Sequence, residues 1–386
     1  MRNGWFIGIF FSVLLITLLF AGISSYLKTS SERDKVDLFV GIDAPFSSVN
    51  NTKLLIDEVK SYTNFFVIGS TAITWNATKL NEVSQYLNNC GLYFSIYLHP
   101  SLPEYNFSDA EWIMEARQKW PSSFLGLYAY DEAGGHQIDK TQFMVVKEAD
   151  NYTDAANKFV ENVGFWLEEI RYDWGVGDFP LITSDYVLYE FDYKAGYDAV
   201  FAEFGWNHSR PLNVALCRGA ASMQNKEWGV MITWTYDKEP YIESGQELYD
   251  DMVYAYQNGA KYILAFNYPE DTTFGILKEE HMKALKQFWQ YTKDNPRSTN
   301  EVKDNVAYIL PKDYGFGFRK PNDKIWGLWD ADNHSKKIWS VANSLLEQYR
   351  EKLDIIYEDY VGHRSALIYE KLIFWNGTIL NRDNIR

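Results

Sequence analysis

Apolar runs of strand length alternate with helix-length segments eight times between Asp37 and Thr292, and few architectures accommodate that beat. Asp37–Asp43, Asn64–Gly69, Leu92–Leu98, Leu125–Tyr130, Pro180–Ser184, Ala199–Phe204, Trp228–Trp234 and Lys261–Phe266 read as strands. Residues 51–62, 78–90, 109–120, 153–172, 189–197, 212–224, 245–258 and 278–292 read as the helical returns. The strands are near-continuous apolar runs, as in a parallel sheet covered on its outer side. Eight strand–helix pairs in about 255 residues have the size and order of a (β/α)8 TIM barrel of class α/β. An open doubly wound sheet competes, but no Gly-x-Gly-x-x-Gly follows the first strand, so its nucleotide-binding form gains no support.

Two segments flank the barrel. Trp5–Ile23 is interrupted by polar residues only at Ser12 and Thr17, and Arg2 precedes it. At ~1.5 Å per residue the run spans most of a hydrocarbon core. Residues 1–34 therefore read as a signal peptide or, given the length of the run, a transmembrane anchor and its polar linker. Either places the body outside the cytoplasm, secreted or on the cell surface, with the membrane as a partner through the N-terminal helix. Sequons at Asn50, Asn76, Asn106, Asn151, Asn207, Asn333 and Asn376 fit a glycoprotein. The first four also precede expected helices, where Asn serves equally as an N-cap. Residues 35–296 form the barrel domain, 294–300 a joint, and 301–386 a small α/β module. Its strands Asn305–Pro311, Leu353–Tyr357 and Lys371–Trp375 and its helix 336–351 form a βαβ unit too short for a nucleotide-binding domain, expected to pack on the barrel.

Composition narrows the function. A formal charge of −15 argues against nucleic acid or anionic lipid as the main ligand. The 14 Trp and 28 Tyr exceed what core packing calls for and suit stacking on the apolar faces of pyranoses. Cys90 and Cys217 fall on segments far apart on the ring and are expected to be free thiols. No Cys/His spacing matches a zinc site, and Asp330-Ala-Asp332-Asn333 lacks the remaining ligands of a calcium loop and reads as a solvated turn. No cofactor or metal is called for.

In a TIM barrel the chemistry sits at the C-terminal ends of the strands. Those ends carry Asp43, Trp75, His99, Asp131 with Glu132, Ser184 with Asp185, Glu203 with Trp206, then Trp234, Tyr236, Asp237, Glu239 and Glu243, and finally Asn267 with Tyr268. Carboxylates and aromatics dominate and cations are few, which suits a neutral polyhydroxylated ligand, a carbohydrate, over a phosphate. The fourth strand runs straight into Asp131-Glu132 and then Gly134-Gly135-His136, which reads as a loop hinge. A carboxyl flanked by Tyr128, Tyr130 and a second acid is expected to hold its proton above the ordinary range.

This arrangement resembles clan A, the large group of retaining TIM-barrel glycoside hydrolases. That clan carries a Glu acid/base after an Asn on strand four, and Glu132 after Asp131 is similar, with Asp where the clan has Asn. Its nucleophile is a Glu at or past the end of strand seven, and Trp234-Thr-Tyr-Asp-Lys-Glu239 is similar but looser. The resemblance implies Glu132 as proton donor and Glu239, Glu243 or Asp237 as nucleophile. Glu243 also reads as a charge near the N-terminus of the seventh helix. The trailing module resembles a reduced form of the amidotransferase-like domain of family-42 β-galactosidases, a packing and assembly element. The expected function is extracytoplasmic glycoside hydrolysis of an oligo- or polysaccharide by two carboxyl groups. The alternative is a catalytically silent carbohydrate-binding or cell-envelope protein, to which the Asp in place of Asn points.

Overall fold

The computed structural model describes residues 36–45, 47–98, 106–233, 243–268, 273–297 and 305–384. Strands β1 (Phe39–Asp43), β2 (Phe65–Ile68), β3 (Tyr93–Leu98), β4 (Phe124–Ala129), β5 (Leu181–Asp185), β6 (Ala199–Phe204), β7 (Glu227–Ile232) and β8 (Tyr262–Phe266) pair in chain order. All pairs are parallel, and β8 returns to β1 in the register Phe39↔Tyr262 through Asp43↔Phe266, which closes the barrel. Around it run α1 (Val49–Val59), α2 (Thr71–Thr74), α3 (Ala77–Asn89), α4 (Asp109–Lys119), α5 (Ala133–Asp139) and α6 (Tyr152–Glu168). The ring continues with α7 (Tyr189–Ala195), α8 (Arg210–Gln224), α9 (Gly245–Gln257) and α10 (Glu279–Asp294). The expected TIM barrel is the observed one.

Strand alternation builds the barrel interior in layers. Phe39, Phe65, Tyr128, Ile182, Phe201, Met231, Tyr262 and Leu264 pack together as a separate inner cluster. Phe39 stacks on Tyr262 at 4.9 Å and Phe201 meets Tyr262 at 5.2 Å. Two or four residues further along the same inward faces come Asp43, Ser184 and Glu203. An apolar floor thus carries a polar layer at the C-terminal mouth.

Several sequence expectations change in detail. The seventh strand is described to Ile232, and Trp234 lies outside the described residues. Gly134-Gly135-His136, expected as a hinge, is the first turn of helix α5. Asn76 and Asn151 do cap α3 and α6, accepting from the backbone N–H of Lys79 and Asp154, whereas Ser108 rather than Asn106 caps α4. Cys90 and Cys217 are free. No helix among the described residues is long and apolar enough to cross a membrane, and Trp5–Ile23 lies outside them.

The C-terminal module is larger than a βαβ unit. Strands β9 (Asn305–Leu310), β10 (Leu353–Tyr357), β11 (Tyr369–Phe374) and β12 (Ile379–Asn381) form a sheet in the order β10-β9-β11-β12, with α11 (Asn333–Tyr349) between β9 and β10. Asp332, expected in a solvated turn, caps α11 by accepting from the N–H of His334 and Ser335. The sheet packs on the barrel through α8, so closely that a Cβ on Gly219 would meet the Ile355 carbonyl oxygen at 2.5 Å. Beside that contact Arg218 donates to Asp354 at 2.7 Å, to Asn258 Oδ1 at 2.9 Å and to the Leu353 carbonyl at 2.9 Å. Asp354 is 4% exposed, so removing its cation strands a buried charge. Arg218→Met should therefore lower stability by ~3 kcal/mol or more in urea unfolding. A loss below ~1 kcal/mol would show that apolar contact alone holds the module on the barrel.

Candidate active site

The mouth of the barrel gathers carboxyls from four strands. Asp43 ends β1, Asp131 and Glu132 follow β4, Asp185 ends β5 and Glu203 lies on β6. Chain direction after β4 is set by backbone strain. Tyr130 and Glu132 both adopt left-handed conformations, with φ of 54° and 51°, a region that costs a non-glycine residue of order 1 kcal/mol. Tertiary contacts hold them there. Thr183 Oγ1 donates to the Tyr130 carbonyl at 2.8 Å, Tyr197 donates to the Ala129 carbonyl at 2.9 Å, and the Glu132 N–H donates to the Ser184 carbonyl at 3.1 Å.

Helix α5 then starts against Asp185. The Asp185 carboxylate accepts from the N–H groups of Gly134 at 2.6 Å, Gly135 at 3.0 Å, Tyr186 at 2.7 Å and Val187 at 3.1 Å. Only glycine allows this approach, because a Cβ on Gly135 would sit 2.3 Å from the Tyr186 ring. Asp185, expected to face a ligand, is fully buried and turned onto the backbone.

Two hydroxyls join the remaining acids. Tyr128 Oη lies 2.5 Å from Asp131 Oδ1 and 2.7 Å from Ser184 Oγ. Ser184 Oγ lies 2.6 Å from Glu203 Oε1 and 3.1 Å from Asp131 Oδ1. Glu132 lies near enough for its charge to act on Glu203. Asp131 presents surface to solvent at the mouth while this carboxyl oxygen turns inward. Burial, then the Asp131 and Asp185 charges, pushes Glu132 up to about 8. Burial and the charges of Glu132 and Asp131 raise Glu203 well above the carboxylate range. Burial, with a smaller contribution from Asp131, does the same to Asp43. Asp43 is 5% exposed, and its Oδ1 has no hydrogen-bond partner among the described residues.

Other expected site residues line the rim or leave it. Half-buried Trp206, at φ 48°, lies 5.0 Å from Tyr186 and 5.0 Å from His208. Trp75 is half-buried directly after α2. Asn267 donates its N–H to the Asp43 carbonyl at 2.9 Å, and its side-chain oxygen is buried without a hydrogen-bond partner among the described residues. Tyr268 is exposed beside Phe266. Glu243 precedes the Ser244 cap of α9 and pairs with Arg210, which also holds Asp251 at 2.9 Å, so its carboxylate serves the α8–α9 joint. His99, Trp234, Tyr236, Asp237 and Glu239 lie outside the described residues. Sequence alone gives Tyr128 and Ser184 no hydrogen-bonding role, although both stand on inward faces of their strands, the signal that points to them. Among the described residues no group of three or more His, Cys, Asp or Glu side chains is arranged to hold a metal ion.

No family model matches the sequence, and no curated protein matches it. The structure is similar to that of α-L-fucosidase isoenzyme 2 from Paenibacillus thiaminolyticus, with TM-score 0.52 and 11% identity over 86% of this chain. This chain spans 59% of that fucosidase's length. An endo-β-1,4-mannanase from Thermotoga petrophila matches with TM-score 0.44 and 9% identity over 72% of this chain and 82% of its own. These structural neighbours are TIM-barrel glycoside hydrolases. The likeness is one of fold. Neither of the two is a family-42 β-galactosidase, the finer resemblance expected above.

The raised carboxyls couple the site to stability. Glu132 moves from 4.5 to about 8 and Asp185 from 3.8 to about 7, so the folded chain binds more protons than the unfolded one between those values. Stability must then fall as pH rises from ~4.5 to ~8. Urea unfolding across that range should show the slope, and Glu132→Gln should flatten it and stabilise the protein at the alkaline end. An unchanged slope in the variant would remove Glu132 from the set of retained protons.

Proposed function

We propose that this chain is a glycoside hydrolase acting on an oligo- or polysaccharide, with Glu132 as the proton donor. The observation that carries the reading is Glu132 itself, set in a strained backbone at the C-terminal mouth of a closed barrel and holding its proton near neutrality. Departure of a sugar alcohol requires a proton on the glycosidic oxygen, and a carboxyl still protonated at the working pH supplies it. Trp75, Trp206 and Tyr268 offer flat faces for pyranose rings. The named activities of the fold's neighbours, a fucosidase and a mannanase, agree with this chemistry. In this reading Asp237 or Glu239, which follow β7 in sequence, supplies the nucleophile, because Glu243 pairs with Arg210. The apolar run Trp5–Ile23 supports an extracytoplasmic barrel on a membrane tether.

Screening the purified chain against oligo- and polysaccharides should reveal release of reducing ends. Glu132→Gln should lower kcat by about 100-fold or more on substrates with poor leaving groups while thermal unfolding stays cooperative. Unchanged turnover in that variant would end the assignment, and binding without hydrolysis by the wild type would select a carbohydrate-binding protein instead. Ala substitutions at Asp237 and Glu239 identify the nucleophile by which of them azide rescues, with a glycosyl azide of inverted configuration as product. If neither substitution lowers activity on a confirmed substrate, the strand-seven nucleophile is wrong.

A further inference from the structure

The rim beyond β6 is held in a conformation that its side chain disfavours. Trp206 is left-handed at φ 48°, a region that bulky residues rarely enter. Glycine or asparagine takes it at little cost, and Gly205 and Asn207 flank the position, yet the strained residue is the tryptophan. Arg210 at the start of α8 secures the turn. Its Nη1 donates to the carbonyls of Gly205 at 3.0 Å, Trp206 at 3.3 Å and His208 at 3.0 Å. Strain kept in place by such contacts points to a side chain that is needed where it lies.

A second set of contacts reaches the same indole from the C-terminal module. Arg319, in the segment between β9 and α11, donates through Nε and Nη2 to the two oxygens of Asp323 at 2.8 and 2.9 Å. Asp323 is 1% exposed, so the guanidinium cannot leave without stranding a buried charge. Its remaining arm, Nη1, donates to Asp139 Oδ1 at 2.7 Å at the end of α5. Tyr186 donates to the other oxygen, Asp139 Oδ2, at 2.7 Å. Asp139 is thus a bridge with one oxygen for each partner. The Tyr186 ring rests on the first turn of α5, where it would collide with a Cβ on Gly135, and meets Trp206 edge to face at 5.0 Å. His208 lies against Trp206 at 5.0 Å.

We propose that the C-terminal module completes a sugar-binding subsite on the β5–β6 side of the mouth, in which Trp206 stacks on a pyranose ring of the substrate and Arg319, acting through Asp139 and Tyr186, is the residue that positions it. The sugar enters through the hydrolase reading proposed above, on which this assignment rests. Stacking needs one flat face set parallel to another, and an indole fixed before the sugar arrives spares the cost of ordering it on binding. The planar fork of Arg319 is suited to the task, because it holds two carboxylates in fixed directions where an ammonium would hold them loosely. Glu132 is secured separately, by its N–H on the Ser184 carbonyl and by the Asp185 anchor of α5. The bridge therefore acts on sugar binding and not on proton transfer.

The full chain labelled with 5-fluorotryptophan tests the bridge without turnover, with the Trp206 resonance assigned by its loss in Trp206→Phe. Asp139→Ala should move and broaden that resonance and leave in place the resonance of Trp120, which precedes β4 at the opposite end of the barrel. A Trp206 resonance that does not move overturns the proposal. On an oligosaccharide that the wild type cleaves, Trp206→Ala should raise KM by about tenfold. Asp139→Ala should raise it by about fivefold with kcat within about twofold, and Arg319→Lys, which keeps a cation for Asp323, should do the same. The double variant Trp206→Ala/Asp139→Ala should have the KM of Trp206→Ala alone, because nothing is left to position. Effects that multiply overturn the proposal, as does a fall in kcat at constant KM, which places the bridge on Glu132 instead. Tyr186→Phe removes one hydroxyl and keeps the ring, and it repeats each comparison if Asp139→Ala fails to fold. If the resonance moves as stated but no glycoside is cleaved or bound, the bridge stands and the hydrolase reading falls.

Discussion

Asp185 is a carboxylate with no exposed surface, and four backbone N–H groups supply the donors that its burial demands. Two of those groups belong to the first turn of α5, so the helix can start only where the Asp185 side chain is. That anchor determines the path of the three residues before it. The chain leaves β4 and must reach Asp185 at once, and it does so through the left-handed Tyr130 and Glu132. Asp131 and Glu132 point into the mouth because the turn between two rigid ends leaves them no other course. The glycine pair is the steric condition for the same contact, since a side chain on Gly134 or Gly135 would collide with the residues that follow Asp185.

The barrel floor sets the chemistry of the layer above it. Phe39, Phe65, Phe201, Tyr262 and their neighbours fill the interior below Asp43, Ser184 and Glu203 and keep water out from that side. In such surroundings a carboxyl is more stable with its proton than without, unless hydrogen bonds or cations offset the loss of water. Glu243 meets a similar burial beside α9, and with Asp251 nearby the Arg210 charge offsets only part of it, so Glu243 too is pushed up to about 8. The acids in the mouth have hydroxyls and one another in place of a cation, and burial raises them in the same way.

The second sheet reaches the same site from outside. Gln137 on α5 donates to the Trp326 carbonyl at 2.7 Å and accepts from the Val146 N–H at 2.7 Å. Trp326 is fully buried, with Phe191 at 4.5 Å and Phe159 at 5.7 Å. Arg319 donates to Asp139 at 2.7 Å at the far end of α5, and Asp139 also accepts from Tyr186 at 2.7 Å. The segment that carries Arg319 and Trp326 therefore braces the outer face of the helix whose inner end Asp185 holds. What resembled a packing element in the sequence is tied to the loop that presents Glu132.

Strand and helix periods are local properties, and so the barrel, its strand order and the acids at its strand ends were legible in the sequence. Asp43, Asp131 with Glu132, and Glu203 could each be placed at the mouth because a strand points alternate residues inward and a parallel barrel ends every strand on the same side. The division of labour among them was not legible. That Glu203 meets Ser184, that Asp185 turns to the backbone, that Arg210 captures Glu243 and that a glycine pair opens a helix all depend on groups from different elements arriving within hydrogen-bond reach. Local periodicity sets which face a residue occupies. Only closure of the barrel sets its neighbours across that face, and for buried carboxyls the neighbours decide the charge.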